Sequence, residues 1–143
     1  MKYEIVKELR LLNNSIRKHL ASLASKNDTD KVTFFYGWLI GYLYDHKNEE
    51  IFQKDIEREF CICRSTTSKM IDSMENSGLV NRVKVDYDDR LKKIVLTDKS
   101  KELAKRINID NLKTEEKLTA GFSDDELKTL GGFLDRMKEN ISK

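Results

Sequence analysis

Residues 64–69 read RSTTSK, which sets Ser65, Thr66, Thr67 and Ser68 between two cations, Arg64 and Lys69. Hydroxyls donate and accept hydrogen bonds and cations pair with anionic oxygen, so this run has the chemistry to recognise a polar, negatively charged surface. A second concentration of cations follows at Arg82, Lys84, Arg90, Lys92 and Lys93, partly offset by Asp86, Asp88 and Asp89. Just ahead of the hydroxyl run stand the only cysteines, Cys61 and Cys63. With His19 and His46 the only histidines, the chain lacks the paired spacing of a structural zinc site, and no metal or cofactor is expected. A thiolate near a helix N-terminus would have a lowered pKa, so a redox switch at these thiols stands beside the plainer reading of inert cysteines. The sequence holds no Gly-rich phosphate loop, no His/Glu metal motif and no Gly-x-Ser-x-Gly elbow. An enzyme is therefore not expected.

The elements that must position these groups are mostly helices. The chain has 143 residues, 38% hydrophobic and 36% charged, without a proline. That balance suits one helix-rich domain with its charge on exposed faces, or one domain with a dimerisation appendage. No signal peptide and no apolar run of membrane-spanning length is present, so a cytoplasmic protein with reduced thiols and no membrane partner is expected. A net charge of +2 leaves the question of a nucleic-acid partner to local arrangement.

Ile5, Leu9, Leu12, Ile16, Leu20 and Leu23 recur at spacings of four and three, the stripe of a first helix of about five to six turns. The polar run Lys26 to Asp30 should end it and cap the next helix, VTFFYGWLIGYLYDH, which is apolar nearly all round and reads as the centre of the domain. Gln53 to Phe60 makes a short helix with Ile56 and Phe60 one turn apart, and a break follows at Cys61 to Cys63. Thr67, Met70, Ile71 and Met74 then form the inward stripe of another helix that closes at Ser77-Gly78. These two short helices make a helix-turn-helix. Val80, Val83 and Val85, then LKKIVLT after a charged tip at 86–89, make a hairpin. Thr97-Asp98 caps a helix through Leu103, Ile107 and Leu112. A Ser123 to Glu126 capping box opens the last helix, with Leu127, Leu130, Leu134, Met137 and Ile141 as its stripe.

With Thr67, Met70, Ile71 and Met74 inward, the opposite face carries Ser65, Lys69 and Asp72, flanked by Ser68 and Thr66 and opened by Arg64. Taken alone, such a hydroxyl run is an ordinary solvated helix start. Followed by a glycine-closed helix and a basic hairpin, it suits entry into the major groove of duplex DNA, with the hairpin reaching phosphates or the adjacent minor groove. The pattern is that of a winged helix.

The stretch from Gln53 to Thr97 resembles the winged helix-turn-helix core of the MarR family of bacterial transcription regulators. The resemblance rests on RSTTSKMIDSMENSGLVNR and on Asp88-x-Arg90 followed by Leu96-Thr97. It implies that Arg90 is the wing-tip arginine of the minor groove, that Asp88 positions the wing, and that Ser65, Thr66, Ser68 and Lys69 face the major groove. Arg64, Arg82, Lys92 and Lys93 complete the expected DNA-binding set. Two positions depart from the family pattern: Cys61 stands where the turn often has glycine, so the backbone there avoids a left-handed conformation or bears strain, and Ser100 replaces the glycine that follows Leu-Thr. The cluster Phe34, Phe35, Tyr36, Trp38, Tyr42 and Tyr44 reads as core. The resemblance implies instead that part of it, Tyr36 and Trp38, lines with His19 a pocket for a small aromatic or phenolic ligand.

The expected fold is thus mainly α with a small β-hairpin wing: a winged helix-turn-helix with N- and C-terminal dimerisation helices. It forms a single domain over 1–143, its core at about 31–97 and its dimerisation helices at about 1–26 and 98–143. The expected function is a sequence-specific DNA-binding transcription regulator, a ligand-responsive homodimeric repressor acting on a palindromic operator. The alternatives are a helical protein-interaction module that binds no DNA, and a cysteine-based redox-sensing regulator.

Overall fold

The structure is a computed structural model that describes residues 3–23 and 31–143, with side chains from Tyr36 onward in the second stretch. The expected break and cap at Lys26 to Asp30 and the side chains of Phe34 and Phe35 lie outside the described residues. Among the described residues, six helices and a hairpin follow in the order α1 (Ile5–Leu23), α2 (Lys31–Asp45), α3 (Gln53–Phe60), α4 (Arg64–Asn76), β1 (Val80–Val85), β2 (Asp88–Leu96), α5 (Asp98–Leu118) and α6 (Asp124–Ser142). Residues 1–111 form one compact unit and 112–143 another, the boundary falling within α5.

The core of the first unit is built from every element of the winged helix. Leu39, Ile40 and Leu43 of α2 meet Ile56 of α3, Ile71 and Met74 of α4, Val80, Ile94 and Leu96 of the hairpin, and Ala104 of α5. Removing these aliphatic side chains from water, at about 25 cal/mol per Å² of apolar surface, is what fixes α4 and the hairpin against each other. Met70 and Phe60 are half-buried and pack against this cluster. Helices α2 and α5 approach closely at Gly41, where an added Cβ would lie 3.0 Å from Asn108 Oδ1.

Capping explains how the chain turns between elements. Asp55 reaches back to accept from the Phe52 N–H at 2.8 Å and so starts α3. Cys61 ends it in the left-handed region, φ 52° and ψ 47°, its N–H donating to the Glu57 carbonyl. Of the two outcomes left by the missing glycine, the chain takes the strained one; Cys61 alone among the described non-glycine residues has positive φ. At the other end of α4, Gly78 takes φ 72° without strain. Ser100, the second departure, is fully buried and satisfied: its hydroxyl donates to the Leu79 carbonyl at 2.6 Å. Thr97 caps α5, its Oγ1 accepting from the Ser100 N–H at 3.3 Å and donating to the Gly78 carbonyl at 2.7 Å.

The hairpin is antiparallel, pairing Val80 with Leu96, Arg82 with Ile94 and Lys84 with Lys92, with a register shift after Lys84 that sets Val85 against Asp88. Its base is stitched to the body, because the Ile94 N–H donates to the Ile51 carbonyl at 2.7 Å and Phe52 bridges Lys93. Of the valines expected along β1, Val80 and Val85 are buried and Val83 is exposed. Val83, three residues from Val80, lies on the opposite side, away from the core, and the register shift after Lys84 returns Val85 to the buried side.

In the second unit, Ser123 opens α6 with a reciprocal capping box: it accepts from the Glu126 N–H at 3.2 Å while Glu126 accepts from the Ser123 N–H at 2.8 Å. No residue of α6 is buried, and Leu130, Phe133, Leu134, Met137 and Ile141 are exposed. The same holds for α1 in the first unit, where Ile5, Leu9 and Leu12 are exposed. Among the described residues no helix is long and apolar enough to cross a membrane, and no group of three or more potential metal ligands occurs.

Candidate nucleic-acid interface

Helix α4 turns Thr67, Ile71 and Met74 fully inward. Thr67 spends its hydroxyl locally, on the Cys63 carbonyl at 2.9 Å. The opposite face presents Arg64, Ser65, Thr66, Lys69 and Asp72 as exposed side chains, with Ser68 half-buried on the flank. The first turn carries no acidic residue. Most helices place carboxylates there to offset the positive end of the helix dipole; α4 places hydroxyls and Arg64 instead, and its N-terminus is left suited to an external anion.

Cys63 is the N-cap of this helix and is exposed. Its Sγ lies 3.4 Å from Ser65 Oγ and 3.1 Å from Thr66 Oγ1. Hydrogen bonds from the Ser65 hydroxyl and then the Thr66 hydroxyl stabilise the thiolate and bring the thiol down to about 7. Two of the hydroxyls that face outward are thus also in contact with a titratable sulfur.

The wing brings its cations together unequally. Arg90 is extended into solvent, its side chain 91% exposed, and is oriented from behind by Asp88, whose Oδ1 accepts from the Arg90 N–H at 2.9 Å and from Nε at 3.3 Å. Lys84 faces Lys92 directly across the strands. Like charges in that relation destabilise a hairpin, and a polyanion laid along the wing would relieve the repulsion. Lys93, expected beside them, is half-buried where the hairpin meets Phe52.

Arg82 is engaged internally. Its guanidinium pairs with Asp72 at 2.7 Å and Glu75 at 3.2 Å, its N–H donates to Glu75 at 3.0 Å, and its side chain is only 21% exposed. The residue fastens β1 to α4 and neutralises a carboxylate on the outward face of that helix, where it would repel phosphate. Sequence reasoning missed this pairing. Its signal was the acidic Asp72 and Glu75, one turn apart on a helix otherwise fitted for an anion.

A cavity of about 570 Å³ lies in the first unit beside α4, lined by Ile16, Arg17 and Leu20 of α1, Tyr36 and Trp38 of α2, Met70 of α4, and Ile107, Asp110 and Asn111 of α5. Of the three residues expected to line a ligand pocket, Tyr36 and Trp38 border this cavity. His19 is half-buried and is not among the lining residues. Trp38 stacks edge-on against Phe60 with ring centroids 4.3 Å apart, which links the cavity to the helix that precedes the recognition turn.

Comparison with known proteins agrees with this geometry. Residues 43–92 match the model of the MarR family. A curated relative, the uncharacterized HTH-type transcriptional regulator YybA of Bacillus subtilis, is 24% identical over 105 residues, 71% of this chain and 70% of its own length. The crystal structure of the transcription regulator MarR from Oenococcus oeni superposes with a TM-score of 0.84 at 29% identity, covering 95% of this chain and 99% of the other. The S. aureus MepR–DNA complex shares the fold, with a TM-score of 0.80 at 22% identity over 98% of this chain and 99% of that one.

Proposed function

We propose that the chain is a regulator of the MarR type, whose family model its residues 43–92 match: a sequence-specific DNA-binding transcription regulator that works as a homodimer in the cytoplasm and catalyses no reaction. The observation that carries this reading is the pairing of α4, with its acid-free first turn and outward hydroxyls, with a wing whose Arg90 is held out into solvent by Asp88. The recognition helix enters the major groove, where Ser65, Thr66, Ser68 and Lys69 meet base edges and phosphates and Arg64 meets phosphate. Arg90 enters the adjacent minor groove, where negative potential rises as the groove narrows. Lys84 and Lys92 lie along the backbone, with Lys93 behind them. Arg82 acts from inside the protein as a strut, not as a phosphate contact.

The exposed apolar faces of α1 and α6 support a homodimer in which a second copy covers them. The cavity beside α4 supports response to a small aromatic ligand. Its walls combine Trp38, Tyr36 and Met70 with the polar Arg17, Asp110 and Asn111, and an occupant would press on Met70 of the recognition helix itself. In this reading the DNA-bound protein represses, and ligand binding releases it.

The test is retardation of duplex fragments from its own genome at rising salt. Binding to a small subset of fragments, with affinity falling steeply as salt rises, is expected. Binding to none at about 0.05 M salt would favour a helical interaction module instead.

A further inference from the structure

We propose that Tyr87 and Glu50 are positioning residues for the wing: their hydrogen bond sets the angle at which Arg90 is presented, and they act through Arg90. This inference rests on the DNA-binding reading above. Tyr87 sits in the turn between β1 and β2, next to the Asp88 that orients Arg90. Small or polar residues usually fill such a turn, yet here a phenol ring stands 66% exposed. Its hydroxyl donates to Glu50 Oε2 at 2.7 Å, across 37 positions of sequence.

Glu50 is on a fixed frame. The next residue, Ile51, is buried, and its carbonyl accepts from the Ile94 N–H at 2.7 Å. The wing itself is less well held. A hairpin of two strands has little stability of its own, and past the register shift after Lys84 only the Val85–Asp88 pair continues the ladder. Arg90 lies beyond that shift. The contact between Tyr87 and Glu50 therefore joins the turn to the body by a route the strand ladder does not provide. Holding a contact residue at its bound angle before binding lowers the ordering cost of association, and a cation in a narrow groove depends closely on that angle.

The experiment uses the duplex recovered from a random-sequence pool by selection on the parent protein, and measures its affinity at one salt concentration. Arg90→Ala, which tests the wing itself, should bind about tenfold more weakly. Tyr87→Phe and Glu50→Ala should each weaken binding about fivefold, the size of one modest hydrogen bond. Glu50→Gln, which keeps a carbonyl acceptor, should restore most of the loss. Tyr87→Phe added to Arg90→Ala should cost nothing more, and thermal midpoints should match the parent. Additive losses in that double variant would mean that Tyr87 touches DNA or supports the fold, and would overturn the proposal. So would parental affinity in Tyr87→Phe when Arg90→Ala is weakened, or a loss in Glu50→Gln equal to that in Glu50→Ala. Parental affinity in Arg90→Ala itself would overturn both the proposal and the wing assignment beneath it.

Discussion

At the scale of single residues, the outward chemistry was legible because it is local. RSTTSK and Asp88-x-Arg90 declare their groups within a few positions, and helical and strand periods say which way they point. The use made of Arg82 was not legible. Its partners Asp72 and Glu75 lie on a different element, and only packing of β1 against α4 brings the three together. Arg82→Ala should lower unfolding free energy by about 1 kcal/mol, a modest value because both carboxylates are partly solvated. Urea titration reads this directly; an unchanged midpoint would return Arg82 to the role of a surface cation. Cys63 gives a second residue-level expectation. Because the hydroxyls of Ser65 and Thr66 lower the thiol to about 7, the thiolate predominates above that pH and is lost as pH falls below it. Carbamidomethylation of Cys63 in a Cys61→Ser background should accelerate through a midpoint near 7. Ser65→Ala should move that midpoint upward, and a midpoint near the usual thiol range in the parent would show that the hydroxyls do not act on the sulfur.

At the scale of elements, helix positions follow from stripe and cap. Gln53 to Phe60, the Ser123 capping box and Gly78 all stand where periodicity and end signals put them. The turn of the helix-turn-helix is different, because a sequence shows which residue is there but not which conformation tertiary packing forces on it. Docking α3 and α4 onto one core demands a left-handed residue at 61, and cysteine bears it. Cys61→Gly should therefore stabilise the protein by about 0.5 to 1 kcal/mol, the relief of backbone strain less the added freedom of the unfolded chain. Differential calorimetry would show a midpoint raised by a few degrees. A lowered midpoint would mean that the Cys61 side chain contributes more than its conformation costs. Ser100 was equally hidden: a serine in place of glycine looks neutral until the Leu79 carbonyl is found buried beside it.

At the scale of the whole molecule, the apolar stripes of α1 and α6 were plain in the sequence, and both helices stand without a buried residue in the single chain. A homodimer interface of about 1,500 Å² or more is of the size such stripes can supply. Leu130→Asp combined with Leu134→Asp should give a monomer in sedimentation at micromolar concentration and should abolish tight operator binding through loss of the second half-site; a parent that already sediments as a monomer would refute the dimer. A two-fold dimer reads half-sites about 34 to 36 Å apart, so selection from random duplexes should return a palindrome with about one helical turn between its halves. The most direct measurement of the account is an affinity titration of that selected duplex and a scrambled one at several salt concentrations, for the parent and for the variant carrying Ser65→Ala and Lys69→Ala. The parent should prefer the selected duplex by about 10³-fold or more, and the variant should lose about 1 to 3 kcal/mol of that preference per base contact while still binding both duplexes through the wing. Equal affinity of the parent for both duplexes, or a variant that discriminates as the parent does, would contradict the assignment of α4 as the reading helix.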